Sequence, residues 1–139
     1  MKKELVRFGV SLPEGLRTKF DRYIKKKGYT NRSKAIADLI RQSLVQEEWE
    51  EGEEVIGGVL LVYNHHKREL VEELMEIEHH HISHIISTQH IHLDHDNCLE
   101  LTVIRGKARE VEKIVGELGA LKGVKFCDLL KASLGRKLE

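Results

Sequence analysis

The stretch from His90 to Cys98, HIHLDHDNC, gathers the residue types that bind transition metals. His90 and His92 stand two apart, so on a strand both imidazoles point to one face, with Cα atoms roughly 7 Å apart. Asp94, His95, Asp96 and Asn97 have the composition of a four-residue hairpin loop. Cys98 then opens a second strand, CLELTVIRG, in which Leu99, Leu101 and Val103 alternate with Cys98, Glu100 and Thr102. If Ile91, Leu93 and the three apolar residues of the second strand face one core, His90, His92 and Cys98 face the other side of the sheet. Two imidazoles and a thiolate suit the later first-row divalent metals. Spacing alone does not choose among them: a closed tetrahedral site fits zinc, whereas tetragonal N/S ligation fits Ni(II) or Cu(II). Three ligands leave a fourth position for water, a substrate or a side chain of another subunit.

The remaining histidines read more blandly. Asp94, His95 and Asp96 are turn formers, with His95 a candidate for a weaker ion. His79, His80, His81 and His84 lie around a helix end, as a surface patch from which one or two could reach a site across an interface. His65 and His66 begin a helix, and Cys127 is a small core residue on the last strand.

The elements that must position these groups follow from periodicity. VIGGVLLVY is a strand, and HHKRELVEELMEIEHHH is a helix with Leu70, Val71, Leu74 and Ile77 inward. The hairpin strands follow at about 85–93 and 98–105. KAREVEKIVGELGALKG is a second helix with Val111, Ile114, Val115, Leu118 and Leu121 inward, and VKFCDLLKA is a last strand. The order β-α-β-β-α-β is the split βαβ, ferredoxin-like arrangement, with both helices on one face of a four-stranded sheet. The other face, expected to carry His90, His92 and Cys98, needs a partner, so this domain should assemble.

The first 50 residues have a different character. Residues 1–46 hold 12 Lys/Arg and 4 Asp/Glu, a net of +8, against a net of −8 for the rest. A basic module on an acidic body points to a polyanion as partner. LVRFGVSL alternates as a strand, with Val6, Phe8, Val10 and Leu12 on one side and Leu5, Arg7, Gly9 and Ser11 on the other. A first helix follows, with Ser11 and Glu14 at capping-box spacing, Leu16, Phe20, Tyr23 and Ile24 on its stripe, and Gly28 as the stop. A second helix starts near Thr30 or Asn31, with Ala35, Ile36, Leu39, Ile40 and Leu44 inward. One strand and two short helices cannot close a core. Dimerisation solves this: two strands pair antiparallel over four helices and present Arg7, Gly9 and Ser11 to a DNA major groove. The second helix start, Asn31, Arg32 and Ser33, offers backbone amides to a phosphate. Residues 47–54, EEWEEGEE, read as an acidic connector with Gly52 as hinge and Trp49 packed between modules. The expected domains are therefore 1–50 and 54–139, and the expected fold class is α+β.

Other classes are bounded quickly. No apolar run approaches the roughly 18 residues of a membrane span. The start, MKKELVRFGV, lacks the apolar region of a secretory signal, and two cysteines make no disulfide framework, so the expectation is a cytoplasmic protein.

Together these features resemble the NikR nickel-responsive transcriptional regulators, most specifically in YTNRSKAIADLIR, VYNHHKREL and STQHIHLDHDNCLEL. The resemblance implies a ribbon-helix-helix DNA-binding domain followed by an ACT-like regulatory domain. It implies a homotetramer, a dimer of dimers with the regulatory domains central and a DNA-binding dimer at each end. It implies one square-planar Ni(II) per subunit, held by His90, His92 and Cys98 with His79 from a neighbouring subunit, and Glu100 orienting a ligand from behind. It implies repression of nickel-uptake genes from palindromic operators, with no small-molecule substrate; Arg7, Arg32 and Lys34 of the basic module are candidate DNA contacts. Gly9 falls where relatives often carry a hydroxyl residue. Lys34 falls where well-known members carry an acid that, with the partner at Asp38, helps hold a second cation; the Lys34 ammonium suits that role. The run His79–His81 is longer than four-coordination needs and hints at further weak metal binding. The alternative reading of the hairpin is a metal-binding enzyme or a metal-delivery protein. No general-base constellation stands apart from the ligands, and the basic ribbon would then lack a purpose.

Overall fold

The computed structural model describes residues 3–139, so the first two residues of the expected N-terminal module lie outside the described range. The chain divides into two compact units, one ending at Ile40 and one spanning Arg41–Glu139.

In the first unit, residues 3–13 carry neither helix nor strand. The strand expected over 5–12 depends on a second copy for its ladder, and a single chain offers its backbone no strand partner. Leu5, Val6, Phe8 and Val10 are accordingly exposed. Helix α1 spans Glu14–Lys26. Its N-cap is Pro13 (φ −56°, ψ 140°), whose carbonyl accepts the N–H groups of Leu16 and Arg17 at 3.0 Å each. The expected Ser11–Glu14 capping box is thus corrected: no side chain caps this end, and Ser11 lies outside the cap. Helix α2 spans Arg32–Glu50. Asn31 caps it in the ordinary way, its Oδ1 accepting the Lys34 N–H at 2.9 Å.

The division of the chain falls inside α2, not at residues 50–54 as expected. Residues 47–50 are helical because the last turns of α2 belong to the second unit and pack into its core. Trp49 is 4% exposed, Val45 packs against the same core, and the Trp49 indole N–H donates to the Ala132 carbonyl at 2.9 Å. Gly52, at φ +72°, makes the turn that follows.

The second unit runs β1 (Glu54–Asn64), α3 (Arg68–His80), β2 (Ile85–His92), β3 (Asn97–Lys107), α4 (Ala108–Gly119) and β4 (Val124–Ala132). The sheet order is β2-β3-β1-β4, with every neighbouring pair antiparallel. This is the expected βαββαβ fold. Helix α3 starts at Arg68, later than the expected His65, because Asn64 organises a turn first. Its Oδ1 accepts the His66 N–H at 2.9 Å and its carbonyl accepts the Lys67 N–H at 3.2 Å.

Both helices cover one sheet face. Its core joins Val55, Val59 and Leu61 of β1 and Ile104 of β3 to Leu70 and Leu74 of α3 and Val111, Ile114 and Leu118 of α4. Cys98, Glu100 and Thr102 alternate onto this same buried face. Leu60, Ile91, Phe126 and Leu130 are exposed on the opposite face, where Leu99, Leu101 and Val103 are half-buried. The expected facing is therefore corrected: His90, His92 and Cys98 share one side, but it is the helix side. Strand β1 is apolar on both faces, and β3 buries its more polar set, Cys98, Glu100 and Thr102, while Leu99, Leu101 and Val103 face the open side. Alternation says which residues travel together, not which set meets the helices.

Candidate metal centre

The β2–β3 hairpin sets the geometry by register. His92 pairs directly with Cys98, and His90 pairs with Glu100. Asp94 fixes the tip: its Oδ1 accepts the backbone N–H groups of Asp96 and Asn97 at 2.9 and 2.7 Å. Bonds from the Asn97 side chain and these two amides hold the Asp94 carboxyl down at about 2. Leu93 closes the loop, its N–H donating to the Asn97 carbonyl at 2.9 Å.

Cys98 is 3% exposed and reduced, whereas His90 and His92 are exposed on the edge strand. The cysteine lies in the core, and the two imidazoles lie at the surface, His90 beside the Tyr63 hydroxyl and His92 beside the His65 ring. As the side chains stand, these three donors share a face without forming a set within 4.8 Å of one another. His79 is exposed in the last turn of α3. The donor chemistry fits a late first-row divalent ion, a thiolate and imidazoles being ligands of that class.

Behind the donors lies a polar network that the sequence reading only partly found. Tyr63 sits opposite Cys98 in the β1–β3 register, and its hydroxyl donates to Glu100 Oε2 at 3.1 Å and lies 3.4 Å from His90 Nδ1. Thr102 donates to Glu100 Oε1 at 3.3 Å. Burial, then the charges of Glu100 and Cys98, push the Tyr63 phenol well above its ordinary value, so it remains a donor. Glu78 completes the group. Burial first, and then Glu100, push its carboxyl up to about 8, so Glu78 keeps its proton near neutrality. Glu78 Oε1 is buried without a hydrogen-bond partner. Glu100 was anticipated; Tyr63 and Glu78 were not. Both signals were present: Tyr63 continues the alternation of Val59 and Leu61, and Glu78 continues the i, i+4 row of Leu70 and Leu74.

The residues expected to meet DNA are all exposed. Arg7, Gly9 and Ser11 lie in the segment without regular structure, and Ser33 is in the first turn of α2. Asn31 is occupied as a cap. Arg32 forks onto Asp21, Nε to Oδ1 at 2.8 Å and an Nη to Oδ2 at 2.7 Å, which holds the Asp21 carboxyl below its usual range. The Lys34 ammonium sits 2.6 Å from Asp38 Oδ1, while the Tyr29 hydroxyl donates to Asp38 Oδ2 at 2.8 Å. An ammonium thus stands against the acid that the resemblance pairs with a second cation.

Comparison with known proteins bears on all of this. Residues 56–132 match the family described as the NikR C terminal nickel binding domain. A protein of Geobacter metallireducens named "putative nickel-responsive regulator" is 53% identical over 97% of this chain and 98% of its own. One of the same name from Geotalea uraniireducens is 54% identical over the same shares. Another from Thermococcus onnurineus is 48% identical over 97% of this chain and 99% of its own. Among solved structures, uncharacterized protein TM1266 of Thermotoga maritima superposes with a TM-score of 0.52 at 14% identity, over 57% of this chain and 98% of that one, and so shares the fold. The relatives are named as regulators rather than enzymes, which favours a regulator over the metalloenzyme alternative. A matched domain covering more than half of the chain, and near-half identity over almost its full length, place it in one group: this protein belongs to the NikR family of regulators.

Proposed function

We propose that this chain is a nickel-dependent transcriptional repressor. His90, His92 and Cys98 hold one Ni(II) per subunit together with His79 of the partner subunit, and the loaded protein binds palindromic operator DNA, controlling nickel-uptake genes in the cytoplasm. The observation that carries the reading is the hairpin register, which sets His92 against Cys98 and His90 against Glu100 on one face. The names of the relatives support nickel as the ion. His90, His92 and Cys98, with His79 of the partner subunit, would hold the ion, which would supply a link between the two subunits when bound. Tyr63 and Thr102 orient Glu100 behind the ligands. The exposed face of Leu60, Ile91 and Leu130 takes a second copy, giving a homotetramer built as a dimer of dimers. The segment with Leu5, Val6, Phe8 and Val10 pairs with its counterpart as the ribbon of a ribbon-helix-helix module, and the second unit is the ACT-like regulatory domain.

A ligand set drawn from two subunits is complete only in conformers that juxtapose them. Ligation therefore selects those conformers, by as much as the affinities differ between states. Operator affinity should rise with stoichiometric nickel; equal affinity with and without the metal refutes the mechanism. Cys98→Ser should remove the thiolate-to-nickel absorption band, and an unchanged spectrum rules that thiol out as a ligand.

A further inference from the structure

Away from this set, a different cluster stands at the same end of the sheet, where the β1–α3 turn meets the hairpin tip. The His65 backbone N–H donates to the Asp96 carbonyl at 3.1 Å, tying the two loops together. His65 Nε2–H and His66 Nε2–H both donate to the His95 carbonyl, at 2.8 and 2.9 Å. The rings of His65 and His66 are 4.1 Å apart, those of His66 and His95 are 5.0 Å apart, and His65 meets His92 edge-on at 5.2 Å.

Among the described residues, His66, His95 and Asp96 are the set of His, Cys, Asp or Glu whose ligand atoms all lie within 4.8 Å of one another. His95 Nδ1 is 3.1 Å from Asp96 Oδ1, and His66 Nε2 is 3.7 Å from the same oxygen. Donors about 2.0–2.2 Å from one ion stand roughly 3.0–3.5 Å apart around it, so the spacing needs only small adjustment. We propose that His66, His95 and Asp96 form a second, solvent-exposed site for a late first-row divalent cation, distinct from the His90–His92–Cys98 set.

Two imidazoles and a carboxylate are the ligand types such ions take, and the exposure of all three leaves further positions to water. The nitrogens that face Asp96 and the His95 carbonyl give up their hydrogen bonds on loading, and their protons move to the other ring nitrogen or to solvent. An exposed site with three protein ligands is weaker than one closed by a buried thiolate. Its location gives it a consequence. The cation would join the turn before α3 to the tip between His92 and Cys98, restraining the hairpin that carries both, and would do so at higher metal concentration than the first site requires.

The test uses the full chain with labelled histidine rings, both as the natural sequence and as Cys98→Ser, so that the outcome does not depend on the first site. Substoichiometric Co(II) should broaden the His66 and His95 ring signals in both proteins. His66→Asn with His95→Asn should weaken Co(II) or Zn(II) binding beyond the first equivalent at least about tenfold, the loss that even an outer partner of a ligand brings. It should leave the thiolate-to-nickel band of the otherwise natural chain in place. Signals of His79 to His81 broadening while His66 and His95 stay sharp would overturn the proposal. So would unchanged binding beyond the first equivalent in the double variant, or in Asp96→Asn, which disturbs the turn less. Loss of the thiolate band from the natural chain would instead count against the nickel reading, with the second site still scored by the ring signals.

Discussion

Tyr63, Glu100 and Arg32 show how much of the chemistry is decided by a single partner. The Tyr63 hydroxyl links the buried Glu100 to His90 on the edge strand. Tyr63→Phe keeps the ring in the core and removes only that link. Nickel affinity should fall about 10–100-fold, the usual effect of losing an outer partner, with the fold retained. A competition titration against a chelator measures this; unchanged affinity would show that Glu100 acts without the phenol. Arg32 raises a different question, because its guanidinium is forked onto Asp21 in this chain. If Arg32 also reaches a phosphate, Arg32→Ala should lower operator affinity and reduce the salt slope of binding by about one. Asp21→Asn, which frees the guanidinium, should leave that slope intact. An unaltered slope in Arg32→Ala confines the residue to its intramolecular pair.

Helix α3 and strand β3 meet through two acids. The folded chain holds a proton on Glu78 up to about pH 8, whereas an ordinary glutamate releases it near 4.5. The raised value means that the folded state binds more protons across this window. The contribution is complete below the unfolded value and is lost as pH rises through 8. Glu78→Gln keeps the shape without the charge. It should flatten the pH dependence of stability between pH 5 and 8 and raise stability at pH 8 by roughly 2 kcal/mol, after discounting for partial exposure. Urea unfolding at both pH values, at equal protein concentration, reads this; identical pH slopes in parent and variant would mean that Glu78 does not hold its proton in the folded chain.

For the whole molecule, the open sheet face is the feature a single chain cannot satisfy. Leu60 and Leu130 are 38% and 77% exposed, beside half-buried Leu99, Leu101 and Val103. A partner copy seated there would remove this surface from water. Leu60→Lys puts a charge in that face and should lower the assembly state in analytical ultracentrifugation. Nickel bound per chain should fall with it, because His79 of the partner subunit would be withdrawn. A variant that sediments like the parent would place the assembly contact elsewhere.

Periodicity and turn chemistry made the βαββαβ order legible from residues alone, because each is a short-range effect. Alternation put His90, His92 and Cys98 on one face, but a loop expected at 94–97 would set Leu93 against Cys98, and the pairing of His92 with Cys98 came from the structure. Three more things needed the tertiary structure. Both faces of β1 are apolar and the buried face of β3 is its more polar one, so only packing could decide that Cys98 lies under the helices and Leu101 on the open side. Trp49 docks on the sheet and keeps α2 helical through an acidic run that reads as a connector. Residues far apart in the chain, Glu78 with Glu100 and His66 with His95 and Asp96, carry no mutual signal in one sequence, and only the fold brings their charges and donor atoms together.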